Sequence, residues 1–274
     1  MELDMVVQKC TKIAAEMRKD IVSLADLCGG DIHWGGDFSC VEVLSVLYGH
    51  VLRGDNSTPF EARDKFILSK GHSAAALYTA MVETGRLSRE ELKDYQQNGK
   101  SLTALSIMNQ ELGIECSGGS LGLGLSVGVG MALLAKRKKY NYKTYVLTGD
   151  GECNEGSIWE AVMSASQYGL ETLTLLIDHN GLQSDGRNQE IMSLGNLAQR
   201  LEAFGWECVT VDGHNIEQII NALGKVPPCG KPYAIVLDTI KGKGISFMED
   251  EFSWHHRILE KEQLETAKRE VGLV

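Results

Sequence analysis

Apolar side chains at Val6, Cys10, Ile13, Met17, Ile21 and Leu24 recur three or four residues apart, so residues 4–28 are predicted as one amphipathic helix. Cys28-Gly29-Gly30 is its stop signal. Asp31 to Asp37 reads as a turn-rich loop, and a second helix is expected from Ser39, with Val41, Leu44, Leu47 and Val51 turned inward and His50 in a structural role. Further on the period changes. Short, near-continuous apolar runs at residues 63–69, 145–147, 173–177, 206–211 and 233–240 read as buried strands. Helical stretches separate them at residues 74–84, 158–168, 196–204 and 216–223, with a short one at 88–97 capped by Ser88 and a charged helical tail at 258–274. Strands alternating with helices, without a repeat or linker, predict one α/β domain over residues 1–274. Its expected core is a doubly wound, mostly parallel sheet flanked by helices.

Charge and composition narrow the partners. A net charge of −10 argues against nucleic acid and against a basic helix on a membrane surface. The basic turn Lys136 to Lys139 reads as a solvated helix end that complements the dipole. The longest apolar stretch, Leu121 to Ala135, is broken by four glycines and a serine, and the N-terminus lacks a secretory pattern, so the cytoplasm is the expected compartment. Seven scattered cysteines without a CxxC pair suggest reduced thiols, with Cys153 set apart by its place in a candidate ligand turn.

The candidate chemistry sits where strands end. Thr148-Gly149-Asp150-Gly151 follows one apolar run, and Asp178-His179-Asn180 follows the next. In parallel α/β units ligands sit beyond the carboxyl ends of the strands, so Asp150 and Asn180 are placed to converge. A carboxylate, an amide oxygen and a backbone carbonyl form a hard oxygen set suited to Mg²⁺ or Ca²⁺, with phosphate completing the shell. Lys70-Gly71-His72-Ser73, between a strand and a helix, exposes N–H groups and an imidazole useful for a diphosphate, with helix capping as the alternative role for His72.

Gly149-Asp150-Gly151 with Asn180 about thirty residues on resembles the thiamine diphosphate motif. Its surroundings resemble the N-terminal half of transketolases through most of the chain: the SKGH turn at residues 69–72, CSGGSLGLG at 116–124, KGKGISFME at 241–249 and Trp254-His255. The resemblance implies a thiamin diphosphate-binding fold and a transketolase acting with thiamine diphosphate and Mg²⁺, with Ca²⁺ or Mn²⁺ as substitutes. It places His72, Gly119, Leu121, Gly149, Asp150, Gly151, Asn180 and His255 against the cofactor. Asp150, Asn180 and the Leu182 carbonyl fall to the metal, and His33, His72 and His255 to catalysis, with His256 the spare. Glu155 and Glu160 fall at a subunit interface, with a helix-dipole role as the alternative. His214 is read as a helix cap outside the site.

The family's Gly-His-Pro histidine falls at Ser106, a departure that leaves room for a specialised, branched or sulfonated sugar. The resemblance further implies a partner, the C-terminal, pyrimidine-binding transketolase subunit that carries the cofactor-activating glutamate, in an α2β2 heterotetramer that transfers a two-carbon ketol unit between sugars. Two other readings stand beside it: the α subunit of a 2-oxo acid dehydrogenase, which shares the GDG and Asn elements, and a cofactor-binding protein without turnover.

Overall fold

The computed structural model describes residues 1–274. In chain order the elements are α1 (Glu2–Cys28), α2 (Trp34–Ser39), α3 (Val41–Val46), β1 (Lys65–Leu68), α4 (Ala74–Glu83), α5 (Arg89–Leu92), α6 (Gly124–Lys138), β2 (Thr144–Gly149), α7 (Gly156–Gln167), β3 (Leu173–His179), α8 (Asn188–Ile191), α9 (Leu197–Ala203), β4 (Glu207–Asp212), α10 (Ile216–Gly224), β5 (Tyr233–Asp238) and α11 (Lys261–Glu270). The sheet runs β1-β2-β3-β5-β4, and every pairing is parallel.

Both faces of the sheet are covered, which is why its strands are apolar without alternation. Phe66, Leu68, Tyr145, Leu147, Leu176, Ile235 and Leu237 face the larger core, with residues of α1, α3, α4 and α10. Their neighbours Ile67, Val146, Leu175, Ile177, Ala234 and Val236 point to the opposite side, where α6, α7 and α9 close a smaller core. The stripe on α1 is buried as its spacing requires, except that Val6 is only partly covered. Gly29 ends α1 in the left-handed conformation, φ 67°.

Several boundaries depart from the sequence pattern. The expected loop before Asp37 is instead α2, despite two glycines that disfavour helix. Tertiary contacts override propensity there. Trp34 and Phe38 are fully buried, Trp34 Nε1 donates to the Arg257 carbonyl at 2.9 Å, and Asp37 Oδ1 accepts from the Ala76 N–H at 2.9 Å. After α3 the chain makes a π turn at Leu47–Val51, and His50 is exposed on it rather than packed inside a helix. The Asn215 side chain, not His214, caps α10 by accepting from the Gln218 N–H. The tail helix is the shorter α11. Ser88 forms the expected cap, completed by Glu91 into a capping box.

Candidate active site

Pairing register brings the chemistry to one level. Gly149 lies opposite Asp178 and His179 opposite Asp238, so the residues just beyond β2, β3 and β5 emerge side by side. Beside them, β1 leads to a short 3₁₀ turn, Gly71–Ser73, that carries His72. Together these ends enclose a cleft of about 220 Å³ whose walls include Lys70, His72, Leu121, Gly149, Asp150, Gly151, Asn180, Leu182, Lys241 and His255. It stands at the carboxyl edge of the sheet, as the parallel topology demands.

Asp150 is 4% exposed, and its carboxylate accepts from the backbone N–H of Gly151 at 2.8 Å and of Gly181 at 2.7 Å. No cation pairs with it. Burial and the nearby Asp178 push its pKa up, which marks a negative charge short of compensation. Asn180 donates through Nδ2 to Asp178 at 3.1 Å, and its Oδ1 accepts from the Leu182 N–H at 3.1 Å, which leaves that oxygen one lone pair. In the same wall, Gln183 Nε2 and Asn154 Oδ1 are buried without any hydrogen-bond partner. Native interiors rarely leave such groups unpaired. A hard cation with an anionic, hydrogen-bonding ligand fits this donor set.

The histidines cluster beside that wall. His33 lies 5.4 Å from His72 and 5.8 Å from His255 between ring centroids, and 4.3 Å from His256. Burial lowers the His33 pKa to about 4 and that of His255 to about 3, and pushes His72 well below its ordinary value. All three are therefore neutral near pH 7. His256 lies outward, paired with Asp31 at 2.7 Å.

Two lysines to which the sequence pattern assigns no role belong to the cleft. Lys70 forms a buried ion pair with Asp178, which also accepts from Ser39 at 2.6 Å and from Thr239. Burial favours the neutral forms, but the pairing overrides it and holds both groups charged. Lys241 is 3% exposed and donates to His255 Nδ1 at 3.1 Å, which puts that ring's remaining proton on Nε2. Burial, then Lys70, lowers the Lys241 pKa to about 8. The signal that could have found them is position: both lysines lie in segments already singled out, SKGH and KGKG. The same holds for Glu152 of the GDGE turn, which accepts from Ser69 and from the N–H groups of Gly122 (2.8 Å) and Gly149 (3.1 Å), tying three cleft segments together.

The glycine-rich segment crosses β1's end at van der Waals limits. A Cβ on Gly71 would lie 2.1 Å from the Gly118 carbonyl oxygen, and one on Gly118 would lie 2.5 Å from the Gly71 Cα. Ser106 is pinned in this crossing, with its N–H on the Gly71 carbonyl and its carbonyl on the Gly118 N–H. Its hydroxyl is buried and unpartnered. Leu121 reaches the cleft, whereas Gly119 is exposed and outside its lining. Cys153 is buried behind the turn, with its thiol near the Gly149 carbonyl. Glu155, at the N-terminus of α7, borders the cleft, and both Glu155 and Glu160 are exposed.

Fold and site define a doubly wound domain with a polar cleft at its carboxyl edge whose donor set suits an anionic ligand with a cation. The chain belongs to the transketolase family: residues 11–274 match its thiamine diphosphate binding domain. It is 44% identical over 242 residues to a subunit of the apulose-4-phosphate transketolase of Phocaeicola vulgatus, covering 88% of this chain and 86% of that protein. It is 39% identical to the 6-deoxy-6-sulfo-D-fructose transketolase subunit SqwG of Clostridium sp., covering 87% of this chain and 88% of that one. With human transketolase it shares 38% identity over 90% of its own length, but only 40% of the human chain. Among solved structures, the transketolase of Campylobacter jejuni superposes with a TM-score of 0.86 at 29% identity, covering 98% of this chain and 43% of that one. That of Leishmania mexicana gives 0.86 at 26%, covering 96% and 41%. The chain thus spans less than half of these longer transketolases. Its family membership decides against the α subunit of a 2-oxo acid dehydrogenase.

Proposed function

We propose that this chain is the diphosphate-binding half of a two-chain transketolase that moves a two-carbon ketol unit from a ketose, phosphorylated in the leading case, to an aldose. The observation that carries the reading is Asp150, a buried carboxylate without a cation, at the end of β2 beside Asn180 and Leu182. Asp150, Asn180 Oδ1 and the Leu182 carbonyl would hold Mg²⁺, or Ca²⁺ or Mn²⁺ in its place. Lys241, with the backbone at Gly149 and Gly151, would meet the anionic end of the cofactor, and Leu121 would lie against it, while Gly119 stands outside the cleft lining. When bound, thiamine diphosphate supplies the electron sink that lets the bond beside a ketose carbonyl break. The chain's own part is to orient and to move protons. His255 presents Nε2–H, and His33 and His72, neutral at pH 7, take or return protons at sugar hydroxyls.

The partner would be a C-terminal transketolase subunit that brings the cofactor-activating glutamate, in an α2β2 assembly. Relatives named as transketolase subunits, which this chain matches along 86% and 95% of their length, support it. So do exposed apolar side chains on the glycine-rich segment and the loop before it, at Leu105, Ile107, Met108, Leu121 and Leu123, beside Glu155. Glu155 and Glu160 are assigned to that interface. The seven free cysteines fit a cytoplasmic setting, and no helix is long and apolar enough to cross a membrane. Serine at position 106, with relatives named for apulose 4-phosphate and a sulfonated fructose, favours an unusual ketose over the common ones.

The assigned metal ligand gives the test. In the complex with its partner, Asp150→Ala should weaken Mg²⁺-dependent binding of thiamine diphosphate by about a hundredfold or more in calorimetric titration. Unchanged affinity would remove the metal assignment.

A further inference from the structure

A second, half-buried network runs from α1 toward the cleft. Arg18 on α1 pairs with Glu42 on α3 at 2.7 Å, and Glu42 also meets His214 Nδ1 at 3.0 Å. His214 Nε2 accepts from the Ile240 N–H at 2.8 Å. Because Nε2 accepts, the ring proton must sit on Nδ1 and be donated to Glu42, so the tautomer is fixed from both ends. Its backbone N–H is held as well, by Asp212 Oδ1 at 2.9 Å.

Ile240 immediately precedes Lys241. The Lys241 stem lies against Gly35, where a Cβ would come within 2.7 Å of Lys241 Cγ, so the lysine tolerates little displacement. The turn behind it is fixed by the Gly242 N–H on the Gly35 carbonyl at 3.1 Å and by the Asp250 N–H on the Lys241 carbonyl at 3.0 Å. On the β5 side Thr239 is held by its N–H on the His179 carbonyl at 3.1 Å and its hydroxyl on Asp178, and His214 adds the anchor next to Lys241 by holding Ile240. We propose that His214, braced by Glu42 and Arg18, is a positioning residue that sets the Lys241 ammonium in the cofactor cleft, at a site its own side chain does not enter.

The inference rests on the reading of the cleft as a thiamine diphosphate site, and the experiment separates the two. Thiamine diphosphate is titrated with Mg²⁺ into the complex of the full chain with its partner, for wild type, His214→Ala, His214→Gln, His214→Asn, Lys241→Met and the double variant His214→Ala/Lys241→Met. Circular dichroism checks that each is folded. His214→Ala should weaken binding about tenfold. His214→Gln, whose amide oxygen can still accept from Ile240, should stay within about threefold of wild type. His214→Asn, which reaches Glu42 but not Ile240, should behave like the alanine variant. In the Lys241→Met background the His214→Ala effect should vanish, a result that general destabilisation would not give. Wild-type affinity in His214→Ala or His214→Asn, or an undiminished effect in the Lys241→Met background, overturns the positioning role. Wild-type complex that binds no thiamine diphosphate overturns the reading of the cleft itself, and this role with it.

Discussion

A buried carboxylate held only by backbone N–H groups is a costly arrangement unless a cation joins it, and Asp150 is such a group. Asn154 and Gln183 tell the same story in neutral form. Among single residues the sequence was informative wherever the chemistry sat in a motif: Asp150, Asn180, His72 and His255 all reach the cleft wall. It was silent on Lys70, Lys241 and Glu152, because their roles depend on partners elsewhere along the chain. Asp178 sits 108 residues from Lys70, and Ser69 sits 83 from Glu152. His33 shows the intermediate case. Its motif was visible, but only the fold places it against His72 and His255. With a substrate role, His33→Ala should raise the sugar KM or lower kcat by at least about tenfold. Thiamine diphosphate affinity should stay within about threefold. Steady-state kinetics with a parallel cofactor titration would check this, and loss of folding instead would assign the residue to structure.

Among the elements, strands were legible as apolar runs, because burial on both faces removes the polar positions between their ends. The α2 segment was not. Its two glycines read as a turn, and only the seating of Trp34 and Phe38 in the core makes it helical. Glycine also divides into contrasting uses. Gly118 lies within contact distance of Gly71 and cannot carry a side chain, whereas Gly130, exposed in α6, has open space where a Cβ would go. Gly118→Ala should therefore lower stability by about 2 kcal/mol or more and disturb the His72 turn. Gly130→Ala should raise stability by about 0.5–1 kcal/mol through the helix. Urea unfolding of the two variants would measure both, and a neutral Gly118→Ala would show that the crossing is looser than its geometry implies.

For the whole molecule, the parallel order β1-β2-β3-β5-β4 gathers four strand ends into one cleft, and a ligand edge of this kind was readable from the alternation of strands and helices alone. Strand order was not, since an apolar run does not encode which neighbour it pairs with. Exposed apolar side chains at Leu121 and Leu123 stand at the cleft's edge, as the proposed shared site would require. In the proposed enzyme the other half of that site comes from a second chain. Ketol transfer with thiamine diphosphate and Mg²⁺ is the assay that decides it, run on this chain alone, its C-terminal partner alone and the two co-expressed. Both common ketose phosphates and branched or sulfonated ketoses serve as donors. Turnover is expected only in the mixture. Turnover by this chain alone, or a stable cofactor-loaded complex that transfers no ketol unit from any of these donors, would refute a transketolase site shared between two chains.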